Sequence, residues 1–482
     1  MLASIPTLLL ALASLASSLS AGDEPTSEAE VSGAAGDADA PDPEPEASDE
    51  PALEAEGDAP PEGPATEEAE TPAGADPPSA GTEEPPASEP ASPETSAVST
   101  VSTVDGLRPG GWALDHPREH YWVPNSWPVA QPCDFTLTPR RSCLVLSTDV
   151  FAGYRHDFVA GGSMGEFRVD RGEVGTGFVW KPHARIEGGA VVRLEAIRSA
   201  GPGSLMGIDG NSLIVRLLET YGHVAAHLGP IDLGARVGLV PERWIEQVQK
   251  VYDTRAVASI PSERAAFLDR SDVGATLTAS GWKGLVELDL QVVNGEGRAQ
   301  EELNPGKNTT AMLSVRPLRR RLPKGPLVLA VHGGYRDGSL GVASLRNHRG
   351  AFAIGLSSPW VYAGFEYAHA LGYQARGDVT ANALGAWASG HVLAPWLGLM
   401  GKLDRIQADL SDGDSVVLVA TAGAFGDLFP YIDRNRRRLR LYVVYQYEGH
   451  GDAAGPLPGT PEALDTHRVM VQLQARGAIR AY

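Results

Sequence analysis

The chain has 482 residues, two cysteines and a formal net charge of −21. That charge is segregated: residues 1–100 hold 23 Asp and Glu and no Lys or Arg, while the other 38 acids face 40 bases. A nucleic-acid binder is excluded on these grounds, because the near-neutral body carries no basic patch.

Residues 1–21 read as a secretory signal peptide. An apolar core at Leu8–Leu15 is followed by small residues near Ser18–Ala21. The run is short and Ser-rich for a helical span, and no later stretch is apolar for long enough to make one. Residues 22–100 consist mostly of Ala, Pro, Glu, Asp, Gly, Ser and Thr, without aromatics. Such a chain buries too little apolar surface to offset its ordering entropy, so a disordered, self-repelling acidic linker is expected. Residues 101–164 change character: Trp112, Trp122 and Trp127 lie among several prolines. Cys133 and Cys143 fit one disulfide in an oxidising compartment, with two unpaired thiols as the other reading.

From about residue 165 onward, period-two alternation dominates. Val273, Ala275, Leu277 and Ala279 share one face, and Gly274, Thr276 and Thr278 the other. Val286, Leu288, Leu290 and Val292 then alternate with Glu287, Asp289 and Gln291. Leu439 to Tyr447 and Val469 to Ile479 repeat the pattern with polar partners such as Arg440, Gln472 and Arg476. This is antiparallel strand patterning. A soluble sandwich would bury the apolar face, whereas a membrane barrel turns it outward. Three features favour the barrel. The strands are long enough for a tilted span. Short turns such as "SGWKG" and "LAPW" alternate with long polar connections such as "NGEGRAQEELNPGKN" and "FGDLFPYIDRNRRR". Trp282, Trp360, Trp396 and Tyr482 lie at strand ends, where an interfacial girdle belongs. The expected fold is all-β: a single transmembrane antiparallel β-barrel over residues 165–482, with about sixteen strands.

The segment 236–318 carries a run of short motifs in a fixed order. A strand ends near Pro241-Glu242, and Ser262-Glu263-Arg264 follows in an irregular stretch. A strand opens at Asp272-Val273-Gly274, a hairpin ends on Asn294–Gly297, and a strand closes on Arg316-Pro317. In this order and spacing the chain resembles the phosphate-selective porins, best over 236–318 and more loosely over 165–482. The resemblance implies a Gram-negative outer-membrane barrel that passes small solutes or ions by passive diffusion. It also implies a homotrimer, as many such porins form. It does not carry phosphate specificity, because that family's lumenal arginine ladder and lysine cluster have no matching positions here. Arg supplies 34 of the 40 basic residues, which suits bidentate anion contacts but is equally a compositional bias. Selectivity is therefore expected to be weak, with anions the candidate solutes.

Glu242–Arg270 is too long and mixed for a tight turn. It fits either a constriction loop folded into the lumen or an ordinary outer loop. "ERWIEQVQKVY" within it suits a short helix. Its candidate functional bases are Arg243, Lys250, Arg255 and Arg264. Strand parity adds Arg193, Arg236, Glu287, Asp289, Arg316 and Arg440 as lumen-facing candidates. Both termini of an even-stranded barrel share one side, which would leave the acidic segment in the periplasm.

Other chemistry is weakly marked. "GGSMG" at Gly161–Gly165 matches a nucleophile elbow, and "HGG" at His332–Gly334 resembles an oxyanion loop. Their order is reversed from that of α/β-hydrolases, and no helix pattern follows Ser163. "HPREH" at His116–His120 fits a zinc motif but sits among prolines that leave little room for a helix. Neither cofactor nor metal is expected, and no enzyme. The expected partners are outer-membrane lipid and small solutes. The competing readings are a structural or adhesion barrel with a lumen blocked by residues 101–142, and, more remotely, a secreted serine hydrolase.

Overall fold

The computed structural model describes residues 142–481 except for 199–212, 296–305, 340–345, 429–436, 456–464 and a few turn positions. The signal segment, the acidic linker, the Trp-rich stretch to residue 141, Cys133, His116–His120 and Tyr482 fall outside the described residues. Sixteen strands form one closed antiparallel sheet, each paired with its sequence neighbours and the first with the last. They are β1 (Ser142–Val159), β2 (Gly162–His183), β3 (Ile186–Arg198), β4 (Leu213–Leu228), β5 (Ile231–Pro241), β6 (Ser271–Gly281), β7 (Val286–Val293) and β8 (Asn308–Leu322). The second half holds β9 (Gly325–Asp337), β10 (Arg349–Ser357), β11 (Val361–Leu371), β12 (Thr380–Leu393), β13 (Leu397–Gln407), β14 (Val416–Asp427), β15 (Arg437–His450) and β16 (Thr466–Ala481). Closure leaves no strand edge to protect.

The alternation sorts side chains as expected. On β6, Leu277 is 58% exposed and Thr276 1%. On β7, Leu288, Leu290 and Val292 are exposed outward, while Asp289 and Gln291 are buried inside. On β15, Leu441, Val443 and Tyr445 face out and Arg440, Tyr442 and Gln446 face in. An apolar outer shell around a polar, ionic interior inverts the soluble pattern and is that of a membrane barrel. Of the expected girdle, Trp282 and Trp396 are exposed, and with Trp360 they share the end of the barrel that carries both strand termini.

The two ends differ. At the terminal end most turns are short, as between β4 and β5 or β12 and β13. At the opposite, loop end lie the long connections, including 242–270 and 294–307. Four expectations need correction. First, the barrel starts at Ser142, so β1 and the start of β2 belong to it. They had been grouped with the Trp-rich segment 101–164. The alternation of β1 is blurred because its inward face is partly apolar: Cys143, Val145 and Phe151 are buried. Second, the connection after Asp427 joins β14 to β15 at the terminal end, although its length had placed it among the outer loops. Third, β8 does not close on Arg316-Pro317. It shifts register between Val315 and Leu318 and continues to Leu322. Pro317 lacks the N–H for the ladder, and a bulge absorbs it. Fourth, His332–Gly334, which resembles an oxyanion loop in sequence, lies inside β9.

The nucleophile-elbow match resolves as a hairpin. Gly161 has φ +93° in the β1–β2 turn, and Ser163 opens β2 opposite Phe158. No helix follows it, so the elbow geometry is missing. Cys143 is disulfide-bonded, and no described cysteine is free.

Candidate functional site

The site is built on the β5–β6 connection. Pro241 ends β5, and Glu242 caps a helix, α1 (Arg243–Gln249), by accepting the Trp244 N–H. A second, single-turn helix, α2 (Pro261–Arg264), begins with proline at its first position. Most of the segment is buried, and its partners are inward-facing side chains of the barrel wall. It lies in the lumen.

One flank is apolar. Trp244, Ile245, Val248, Val251, Tyr252 and Ile260 form a single cluster with small inward residues of β9 to β12, among them Ala330, Ala353, Ala368 and Ala383. Wall alanines leave room for the large loop side chains, and Gly355 goes further: any Cβ there would collide with Val251. Tyr252 meets Trp387 of β12 edge to face at 5.2 Å, and the Trp387 Nε1–H donates to the Val251 carbonyl at 3.2 Å.

Polar ties reach round the ring. Arg243 donates from Nε to Asp289 at 2.9 Å and from Nη2 to Glu287 at 2.7 Å, both on β7. Glu246 accepts from Arg236 of β5 at 2.8 Å. Gln247 accepts from Arg316 of β8 at 2.9 Å, and Glu242 pairs with Arg336 of β9. The Trp244 Nε1–H donates to Glu366 of β11 at 2.6 Å. Arg264 lies 3.3 Å from Asp404 of β13. Asp253 accepts from Arg440 of β15 at 2.7 Å. Arg255 pairs with Glu173 of β2, and Arg270 with Glu173 and with Glu195 of β3.

All ten candidate residues therefore sit on the inner wall or on the inserted segment. Nine join carboxylate–guanidinium networks. Arg193 bridges Glu173 and Glu219 at 2.5 and 2.6 Å, and Arg440 is fully buried between Asp427 and Asp253, with its guanidinium 3.9 Å from the Phe425 ring centroid. Lys250 is the exception: its ammonium donates to Gln247 at 2.9 Å. Burial would raise the Glu246 carboxyl, but the Arg236 and Arg243 guanidiniums and the Lys250 ammonium outweigh it and hold it well below 4.5. Burial pulls the Lys250 ammonium below its usual range. Sequence reasoning had singled out the bases and missed most of their acids. Glu173 was within reach, since Val174, Phe178 and Trp180 point outward beside it. Asp253 and Glu246 were not, because an irregular segment carries no parity.

No protein-family model and no curated protein matches the sequence. Solved structures overlap it loosely. OmpF of Salmonella typhi, in complex with daunomycin, is 14% identical, covers 69% of this chain and 97% of its own, and gives a TM-score of 0.48. The anion-selective porin of Comamonas acidovorans is 12% identical over 70% and 99%, with a TM-score of 0.47. The trimer form of Vibrio cholerae OmpT is 9% identical over 70% and 100%, with a TM-score of 0.46. Overlaps this loose transfer no property to this chain.

Proposed function

We infer that the protein is a Gram-negative outer-membrane diffusion channel whose bore is set by residues 242–270. The observation that supports it most is an ionic segment folded inside a closed barrel with an apolar shell. Passage at the level of α1 runs past the paired carboxylates and guanidiniums, or waits for the segment to shift. Because these charges are largely paired, the local field is weak and selectivity between small ions is modest. Phosphate specificity finds no support in such a lumen. Incorporation into planar bilayers tests the function: discrete current steps are expected, with a permeability ratio for chloride over potassium within a few-fold of unity.

A blocked barrel is the second reading. It is favoured by the ties from 242–270 to β2, β3, β5, β7, β8, β9, β11, β13 and β15. The occluding element would then be this segment. Folded, pure protein that gives no current steps would select it. In either case the terminal end faces the periplasm, with the acidic linker on that side, and the barrel associates as a homotrimer. Protease access in intact cells and light scattering in detergent test these two points.

A further inference from the structure

The chain ahead of the barrel is tied to the inside of its wall. Cys143 alternates with Leu144 and Leu146, which are exposed on the outer face, so its sulfur points into the bore, where the residue is buried. It is disulfide-bonded, and the sequence holds one other cysteine, Cys133. A second copy of the chain cannot reach a sulfur buried inside a closed ring, so the partner is Cys133 of the same chain. A disulfide holds its two Cα atoms within about 7 Å of each other. The residues ahead of Cys133 therefore set out from the inner wall at the terminal mouth.

The wall around Cys143 differs from the rest of the lumen. Cross-strand rows run inward-facing from β1 over β2 to β3: Cys143 pairs with Val179 and Val179 with Gly189, and Val145 pairs with Gly177 and Gly177 with Val191. Between Lys181 at the rim and the charged level of Asp149, Glu173, Arg193 and Glu195, this face is neutral. Gly177 between two valines makes a shallow seat, and a glycine inside a strand marks a place where another group comes close. Val145, Val179 and Val191 are 0%, 5% and 4% exposed, yet no residue of the inserted segment belongs to their apolar clusters. An apolar wall toward a wet bore favours an apolar cover. Residues 119–132 match it: they carry Tyr121, Trp122 and Trp127, no Lys or Arg, and a single acid, Glu119. The ring of strands is closed, so they find no strand edge to extend and must bind through side chains. We propose that residues 119–132 dock on the inner face of β1, β2 and β3 at the terminal mouth, with an indole over Gly177 between Val145 and Val191 and the Cys133–Cys143 disulfide as tether. The docked segment is a second restriction in series with 242–270, apolar where that one is ionic. It needs the closed barrel and the disulfide, and it does not depend on the barrel conducting.

Photo-cross-linking on the full chain in detergent micelles tests it. Benzoylphenylalanine is placed at Val179 or at Val191, and at Leu146 on the outer face as the control. After irradiation, reduction and trypsin digestion, both inner probes are expected to capture the peptide 119–140, which ends at Arg140, and the control at least tenfold less of it. Trp122→Ala and Trp127→Ala together are expected to lower capture by the inner probes fivefold or more. Mixing isotope-labelled with unlabelled chains is expected to show that probe and captured peptide belong to the same chain. Digestion of the unaltered protein without reduction is expected to yield Cys133 bonded to Cys143. Heat-modified gel migration reports folding; if one inner-probe variant is unfolded, the other decides, and the disulfide map needs no variant. Free thiols or a bond between chains, capture of detergent or of a second copy alone, equal capture at Leu146, or undiminished capture in the double variant overturns the proposal.

Discussion

Arg243 is the residue through which α1 is fastened to the wall. Its guanidinium serves Asp289, Glu287 and Glu246 at once, and its side chain is 3% exposed. Arg243→Ala removes the cation and leaves three carboxylates behind. Glu287 keeps Arg316 at 3.0 Å, and Glu246 keeps Arg236. Asp289 keeps only the Thr278 hydroxyl at 2.6 Å. Truncating one side of a buried pair costs about 3–5 kcal/mol, and the surviving partners make that an upper range here. An equilibrium between seated and displaced segments would move by up to roughly 100- to 4000-fold, at about 1.4 kcal/mol per decade. Single-channel recording reads this directly. The variant is expected to show a larger mean conductance or long excursions to a wider level that the parent visits rarely. The conservative Arg243→Lys should fall between the two, because a point charge cannot replace the forked contact. A folded Arg243→Ala barrel with the conductance histogram of the parent would refute the idea that this segment sets the bore.

Other expectations follow from the same contacts. Glu246 has a folded pKa below its ordinary value of 4.5, so its ion pairs contribute fully above that value. The contribution fades as pH falls from 4.5 toward the lower folded pKa; current noise should rise in that window and not between pH 6 and 8. Trp244→Phe keeps a smaller aromatic ring and removes the donor to the buried Glu366 carboxyl, and an acceptor left in this way costs about 1–3 kcal/mol; urea should release the segment sooner, as read by Trp387 fluorescence quenching. Gly355→Val must push Val251 off the wall, and a changed unit conductance with an unchanged circular dichroism spectrum is expected. Leu290→Lys puts a charge on the lipid face and should cost roughly 2–4 kcal/mol if it lies near the midplane; urea titration of liposome-folded protein measures it, and no loss would place that face out of the membrane.

The strands were legible where one face is purely apolar and the other purely polar. On β7, Leu288 and Leu290 flank Asp289, and nothing else fits that pattern. β1 was not legible, because Val145 and Phe151 fill inward positions that elsewhere hold charge. The β14–β15 connection shows that length alone does not tell the two ends of a barrel apart; the count of strands before it does. The inserted segment could be suspected from its length and mixed charge, yet its destination depended on features no local pattern displays. Ala353, Ala368 and Ala383 look like unremarkable strand residues until they are seen in one buried cluster with Trp244 and Tyr252. The acids that receive Arg255 and Arg440 lie about 80 and 190 positions away or on the irregular segment itself. Pairing at that range is fixed only once the ring has closed.

The alanine wall of β9 to β12 acts as a spacer of adjustable thickness. Each methyl group added there would lift the segment away from its resting place by a fraction of an ångström, toward the arginines of β2 and β3. Each one removed would let it settle back. Aperture in this protein is thus tunable from behind the constriction, by residues no solute touches. Relatives that pass larger or smaller molecules could differ there while every charged group of the bore stayed the same.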